Sequence, residues 1–312
     1  MNILFTCAGR RNYLINYFKE ALKGNGKVLA SDMQLTAPAM IDADEAFIVP
    51  SIYADDYVEE IKKIVTENNV KAVISLNDLE LPILSNRKSE IENLGAKVIV
   101  SDERVIKIAF DKWETVKFLE SIGLKSPKTF IDFNQAKKAL ESGELKFPLV
   151  IKPRWGSASI GIDFPEDMEE LELAYKLQTI RLSRTILAEA SKEDLQHAIL
   201  IQEKIPGTEF GIDVLNDFNG NHIGTFARKK MSMRSGETDK AVSVIDEKLT
   251  EVGRIIGENL KHIGNLDCDV FEDNGAYYVL ELNPRFGGGY PFSHEAGTNT
   301  PAIYLEWLKG NL

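Results

Sequence analysis

"VLELNPRFGGGY", residues 279–290, sets a carboxylate, an amide, an arginine and three consecutive glycines within a dozen positions. Apolar and polar residues alternate up to Asn283, the two-residue period of a strand, so Glu281 and Asn283 project from one face. Upstream, Asp267 and Asp269 share that spacing, and "EDNGA", 272–276, reads as the turn of a hairpin. A two-residue turn at Asn274-Gly275 sets Asp269 against Leu280 and splits the acids between two faces. A three-residue loop over Asp273, Asn274 and Gly275 sets Asp269 against Val279 and gathers Asp267, Asp269, Glu281 and Asn283 on one face. The second register is the reading adopted. Converging hard oxygen ligands suit Mg²⁺ held through few protein groups plus substrate phosphates, whereas a metal-free carboxylate face repels itself. Arg285, just beyond, carries a planar fork suited to a carboxylate or phosphate. The run Gly287-Gly288-Gly289 reads as room for a ligand against the backbone.

Outward from this hairpin, the chain reads as α/β followed by α+β. "NILFTC" (2–7), "KVLASD" (27–32), "EAFIVP" (45–50), "KAVISL" (71–76) and "AKVIVS" (96–101) are short apolar strands. Between them lie amphipathic helices at 12–22, 54–67 and 79–93. That alternation means a mostly parallel sheet covered on both faces. A helix is expected at 103–121, then a strand near 127–131, a helix at 134–141, the strand "FPLVIKP" (147–153), a helix at 166–182 and the strand "AILIQEKI" (198–205). From 207 the pattern is antiparallel, with a helix at 247–262 among the strands. The expected division is residues 1–102 as one α/β unit and 103–312 as a second, with a lid at about 125–200 and a metal-binding lobe at about 201–312.

With 37 Lys and Arg against 48 Asp and Glu, the net charge is −11. An overall acidic field repels nucleic acid. No window reaches the roughly 18 apolar residues of a membrane span, so a cytoplasmic location and no membrane partner are expected. Cys7 and Cys268 are too few and too far apart for a disulfide framework or a zinc site. In this acidic background "ARKKMSMR", 227–234, stands out, and Lys229, Lys230 and Arg234 are candidate cations for a departing phosphoryl group. Lys152 ends an apolar strand. The segment after it, with Gly156, Ser157, Ser159 and Gly161, can fold backbone N–H groups around phosphate oxygens, although it is no Walker loop. In "QEKIPGTEF" (202–210), Glu203, Lys204 and Ile205 can meet an adenine through the main chain, with Glu209 at a ribose.

Taken in order, "FDKW", "FPLVIKP", the Gly/Ser segment, "QEKIPGTEFGIDV", "LDCDVFEDNGAYYVLELNPRFGGGYPF" and "AGTN" resemble the carbamoyl-phosphate-synthase-like branch of the ATP-grasp superfamily. The resemblance covers about residues 105–300, and the first α/β unit is similar to that family's Rossmann-like pre-ATP-grasp domain. It implies an ATP-grasp fold with ATP and Mg²⁺ or Mn²⁺ as cofactors, and a ligase joining a small carboxylate to an amine or similar nucleophile through an acyl phosphate. It implies that Lys112 and Lys152 contact phosphates and that 156–161 closes over them. Glu281 and Asn283 would hold the metal, with Asp269 at the family's earlier metal position, where many relatives carry Glu or Gln; Arg285 would grip the acyl phosphate or acceptor carboxylate. Oligomeric state stays open, with a homodimer as the candidate. Two other readings compete. One is a dinucleotide enzyme, for which "TCAGRRNYL" has one glycine where G-x-G-x-x-G needs three. The other is a non-catalytic ATP-binding regulatory or scaffold protein.

Overall fold

The computed structural model describes residues 1–156, 161–234 and 236–311. Strands β1 (Asn2–Thr6), β2 (Val28–Asp32), β3 (Glu45–Ile48), β4 (Val70–Ser75) and β5 (Lys97–Val98) form a parallel sheet in the order β3-β2-β1-β4-β5. β1 is apolar on both faces because both are covered. Ile3 and Phe5 pack with Leu14, Ile15 and Phe18 of helix Asn12–Leu22, and Leu4 packs with Tyr57 and Ile61 of helix Tyr57–Glu67. The expected helix 79–93 is two shorter ones, Leu81–Asn86 and Lys88–Glu92. The order reverses between β1 and β4, whose carboxyl ends lead into Cys7–Arg11 and Leu76–Asp78.

The helix expected at 103–121 is likewise two, Glu103–Phe110 and Lys112–Ser121. Asp111 breaks it. Its backbone is extended, and its side chain accepts N–H bonds from Trp113 at 3.0 Å and Glu114 at 3.4 Å. Arg154 grips the same carboxylate through Nε and Nη2, both at 2.7 Å. Helical periodicity runs through such a break unseen, because the apolar stripe continues on either side.

A three-stranded antiparallel sheet, β6 (Thr129–Phe130), β7 (Leu149–Pro153) and β8 (Ile199–Glu203), runs β6-β8-β7. Helices Phe133–Glu141 and Met168–Leu182 cover it around Leu149, Ile151, Leu171 and Ile201. The largest sheet comprises β9 (Thr208–Asn216), β10 (His222–Arg234), β11 (Glu237–Val244), β12 (Gly264–Asp273) and β13 (Ala276–Asn283). It is antiparallel, in the order β11-β10-β9-β12-β13. Helix Glu247–Leu260 and helices 103–110 and 112–121 pack on one face. The other face carries the charged residues. Helices Tyr290–Glu295 and Thr300–Leu308 then return to the parallel sheet, where Phe286, Tyr290 and Tyr304 join the cluster of Ile3, Phe5 and Phe18.

The β12–β13 hairpin corrects the expected three-residue loop. Asp273 pairs with Ala276 around the two-residue turn Asn274-Gly275, with φ of 49° and 80°, the left-handed pair that such a turn requires. The register then shifts between Asp269 and Val270: Val270 faces Val279, but Asp269 faces Glu281 and Asp267 faces Asn283. Leu280 is the extra residue of a β-bulge. Val270, Val279, Cys268 and Leu282 therefore enter the core, while Asp267, Asp269, Glu281 and Asn283 line one cavity. The grouping is as anticipated, but the bulge produces it. Among the described residues no helix is long and apolar enough to cross a membrane.

Candidate active site

Between the three-stranded and five-stranded sheets lies a cavity of about 490 Å³. β7 delivers Lys152 to it from below and the second half of the broken helix delivers Lys112. The break at Asp111 makes Lys112 the first residue of a new helix, with its side chain free to cross the cleft. Its Nζ donates to the Gly156 carbonyl and stands 3.7 Å from Glu281 Oε2. Lys152 is only 6% exposed. Burial pushes its ammonium down to about 8, and Lys112 adds to this, while Glu281 and Asp269 oppose it. Burial works against the Glu281 carboxylate, yet Lys112 and Lys152 hold it below the ordinary carboxylate range.

Glu203, Lys204, Ile205 and Glu209 line the same cavity. Glu203 is tied to the neighbouring strand: its N–H donates to Lys128 O at 2.8 Å and its carboxylate accepts from Lys128 N–H at 3.3 Å. Lys204 Nζ lies 5.0 Å from the Phe164 ring centre, a cation–π contact closing that end of the cleft. Lys230 Nζ donates to Glu209 Oε1 at 2.7 Å and to Asp269 Oδ1 at 2.6 Å. Burial raises the Asp269 carboxyl to about 6, with Glu281, Asp267 and Glu209 adding to the rise and Lys230 opposing it. Gly156 and Gly161 border the loop in left-handed conformations, φ 118° and 71°. Ser157 and Ser159 lie outside the described residues.

A second cavity of about 240 Å³ meets the first at Asp269 and Glu281. Arg285 reaches it from the end of β13, its Nη2 donating to Asp78 Oδ2 at 2.8 Å and its Nη1 to Asp267 Oδ2 at 3.5 Å. Asp267 is also gripped by Arg228 Nη2, and Arg228 Nη1 donates to Asp213 Oδ2 at 2.6 Å. Five alternating charges, Asp213, Arg228, Asp267, Arg285 and Asp78, thus run in a buried line from the five-stranded sheet to the end of β4. Asn265 at 3.0 Å and Ser293 at 2.6 Å satisfy Asp213 further.

Three expectations change here. Arg234 is not brought to either cavity: its side chain is 78% exposed and pairs with Asp239 at 3.4 Å. Two register shifts between Lys230 and Met233 reverse the alternation of β10, so Met233 lines the cavities and Arg234 turns out. Lys229 is exposed. The glycine run makes room for the chain itself, because a Cβ on Gly287 would sit 2.2 Å from the Asp267 carboxylate and one on Gly289 2.1 Å from Arg228 Nε. Arg228, Asp213 and Asp78 escaped the sequence reading. Strand alternation in "ARKK" held the signal for Arg228, since it shares a face with Lys230.

Whether the site suits a divalent ion rests on its donors. Among the described residues no group of three or more His, Cys, Asp and Glu is arranged to hold a metal. The set here is two carboxylates and the Asn283 amide, which fits Mg²⁺ shared with phosphates, since that ion takes one or two carboxylates and keeps its other positions for substrate and water.

Two family models match the chain: "PylC-like, N-terminal domain" over residues 3–99 and "ATP-grasp in the biosynthetic pathway with Ter operon" over residues 196–311. The chain belongs to the ATP-grasp superfamily. It is 23% identical over 303 residues to the carbamoyl phosphate synthase large chain, N-terminal section, of Aquifex aeolicus, covering 89% of this chain and 51% of that one. It is 26% identical over 211 residues to the D-alanine–D-alanine ligase of Thermotoga petrophila, covering 62% of each. This ATP-grasp chain spans from 19% to 62% of the length of such curated relatives. The Campylobacter jejuni biotin carboxylase–β-γ-ATP complex superposes with a TM-score of 0.77 at 18% identity, over 100% of this chain and 71% of that one. The fold is therefore ATP-grasp, preceded by a PylC-like α/β unit.

Proposed function

We propose that the chain is an ATP-dependent, ADP-forming ligase that joins a small carboxylate to an amine or similar nucleophile. The observation that carries this is the pair of adjoining cavities that sets Lys112 and Lys152 beside Asp269 and Glu281, with Asn283 next to those two carboxylates in the second cavity. ATP-grasp membership supports it, as do the ligase and synthase names of the relatives. In this reading Glu203, Lys204 and Ile205 border the adenine and Glu209 the ribose. The two lysines neutralise phosphate oxygens. Asp269, Glu281 and Asn283 hold Mg²⁺, or Mn²⁺ with its similar oxygen preference. Bound there, the ion would neutralise charge on the triphosphate.

A substrate carboxylate oxygen attacks the γ-phosphorus: an O–P bond forms, the bond to the β–γ bridging oxygen breaks, and ADP leaves with its electron pair. The amine nitrogen of the second substrate attacks the acyl carbon, the C–O bond to phosphate breaks, and a proton from nitrogen passes to phosphate or solvent. Lys230, bonded to Asp269 at the junction of the cavities, and Arg285, within the second cavity, stabilise the negative charge that moves. The labile intermediate needs shielding from water, for which the sheet-and-helix unit over about 125–200 is the lid. The test is ADP release from Mg·ATP against a panel of small carboxylates and amines. Release that requires both substrates and disappears in Glu281→Ala plus Asn283→Ala is expected. Nucleotide binding without ADP release across the panel would favour the non-catalytic alternative.

A further inference from the structure

The ligase reading leaves its acceptor unnamed, and this inference rests on that reading. We propose that the second cavity takes a small zwitterion, an α-amino acid, with its carboxylate at Arg10 and Arg11 and its cationic nitrogen at Asp78. Three independent features converge there. The first is topological. Open parallel sheets collect ligands outside the carboxyl ends of their strands, in the crevice where strand order reverses. That crevice lies between β1 and β4, and the residues leaving those strands, Cys7–Arg11 and Leu76–Asp78, wall the cavity.

The second is a positive end. Arg10 and Arg11 each place Nη2 3.6 Å from the same Glu237 Oε1. Two guanidiniums thus share one carboxylate oxygen beyond good hydrogen-bond length, which leaves donors for a ligand carboxylate. The third is a negative end. Asp78 is 7% exposed, and Oδ2 accepts from Arg285, but Oδ1 is buried with no hydrogen-bond partner. A buried carboxylate oxygen left bare is costly, and an ammonium N–H relieves it. The cavity's other strong charges are spent on each other, Arg228 on Asp213 and Asp267, Lys230 on Glu209 and Asp269. What remains in about 240 Å³ is one end with unspent donors, Arg10 and Arg11 beside Glu237, and one with an unspent acceptor, Asp78 Oδ1 beside Arg285, next to the Asp269–Glu281 wall where the acyl phosphate would form.

The test is titration calorimetry on the full chain holding ADP and Mg²⁺, with α-amino acids, their decarboxylated amines and their N-acetyl forms as probes. At least one amino acid is expected to bind, and its amine and N-acetyl counterparts to bind about tenfold more weakly or worse. Asp78→Asn and Arg11→Gln should each cost about tenfold for that amino acid while ADP affinity is retained. Arg10→Gln alters a side chain 63% exposed and so spares the fold, and about a twofold to fivefold loss is expected from it. Equal binding of the amines or the N-acetyl forms overturns the proposal. So does unchanged affinity in Asp78→Asn, which would mean that the small void of about 10 Å³ on the other side of Asp78 supplies its partner as a single water. Failure of ADP itself to bind sinks the ligase reading, whereas ADP binding with no amino-acid binding sinks this inference alone.

Discussion

Lys152 stands in the cleft, where burial resists its charge. Below about pH 8 the ammonium form dominates, and above it the charge is lost. Affinity for ATP is therefore expected to weaken as pH rises through about 8, and to lose that dependence in Lys152→Met; equilibrium titration across pH checks both. Linkage gives a second sign. Between about 8 and the ordinary lysine value of 10.5 the unfolded chain binds more protons than the folded one at this residue, so folding stability rises with pH across that window. Urea denaturation should show the wild type gaining on Lys152→Met there. Arg228 has the opposite character. It is paired on both sides and 1% exposed, and removing it leaves Asp213 buried without an ion-pair partner and Asp267 with only Arg285 at 3.5 Å. Arg228→Met should cost about 3–5 kcal/mol of stability, measured by the same denaturation. Residue types singled out Lys112, Lys152, Glu281 and Asn283 as candidates, and the fold brings them to adjoining cavities. They did not reveal Arg228 or Asp78, because a buried ion line depends on which strands become neighbours, and that is a tertiary fact.

At the scale of elements, the hairpin shows how a face can be right by another route. A two-residue turn by itself would have set Asp269 against Leu280; one extra residue in β13 restores the grouping. Period-two arithmetic gives a sharp prediction. Deleting Leu280 removes the bulge residue and leaves Val279 and Leu282 inward and Glu281 and Asn283 outward, so Mg·ATP affinity should fall less than about tenfold. Deleting Leu282 turns Asn283 into the core and should abolish Mg·ATP binding. Calorimetry on the two deletions, with circular dichroism for fold, separates them. Alternation made the strand legible in the sequence, but a bulge has no composition signal of its own. The same blindness put Arg234 at the site, where two register shifts in β10 turn it outward.

At the scale of the molecule, the expected boundary at 102/103 follows the end of the parallel strand–helix alternation, but the core does not stop there. Phe286, Tyr290, Tyr304 and Leu305 sit in one cluster with Ile3, Phe5, Leu14 and Phe18, with Phe18 meeting the rings of Phe286 at 6.3 Å and Tyr304 at 6.2 Å. Periodicity along the chain reveals that each element has an apolar face and is silent on which distant element covers it. Phe286→Ala should therefore destabilise the parallel sheet as well as the segment that carries it, by about 3–5 kcal/mol. Residues 1–102 alone should bind an apolar dye and unfold without a sharp calorimetric transition.

The closure of residues 286–305 onto residues 3–18 also sets an order of events during synthesis. A ribosome releases the first sheet long before the aromatic helices that roof it. For that interval Phe5 and Phe18 face water or a chaperone, and the crevice beside Arg10 and Arg11 lacks its far wall. The nascent chain can acquire secondary structure early, but the crevice gains its far wall only when residues 228–289 emerge, and the first sheet its aromatic cover only after that.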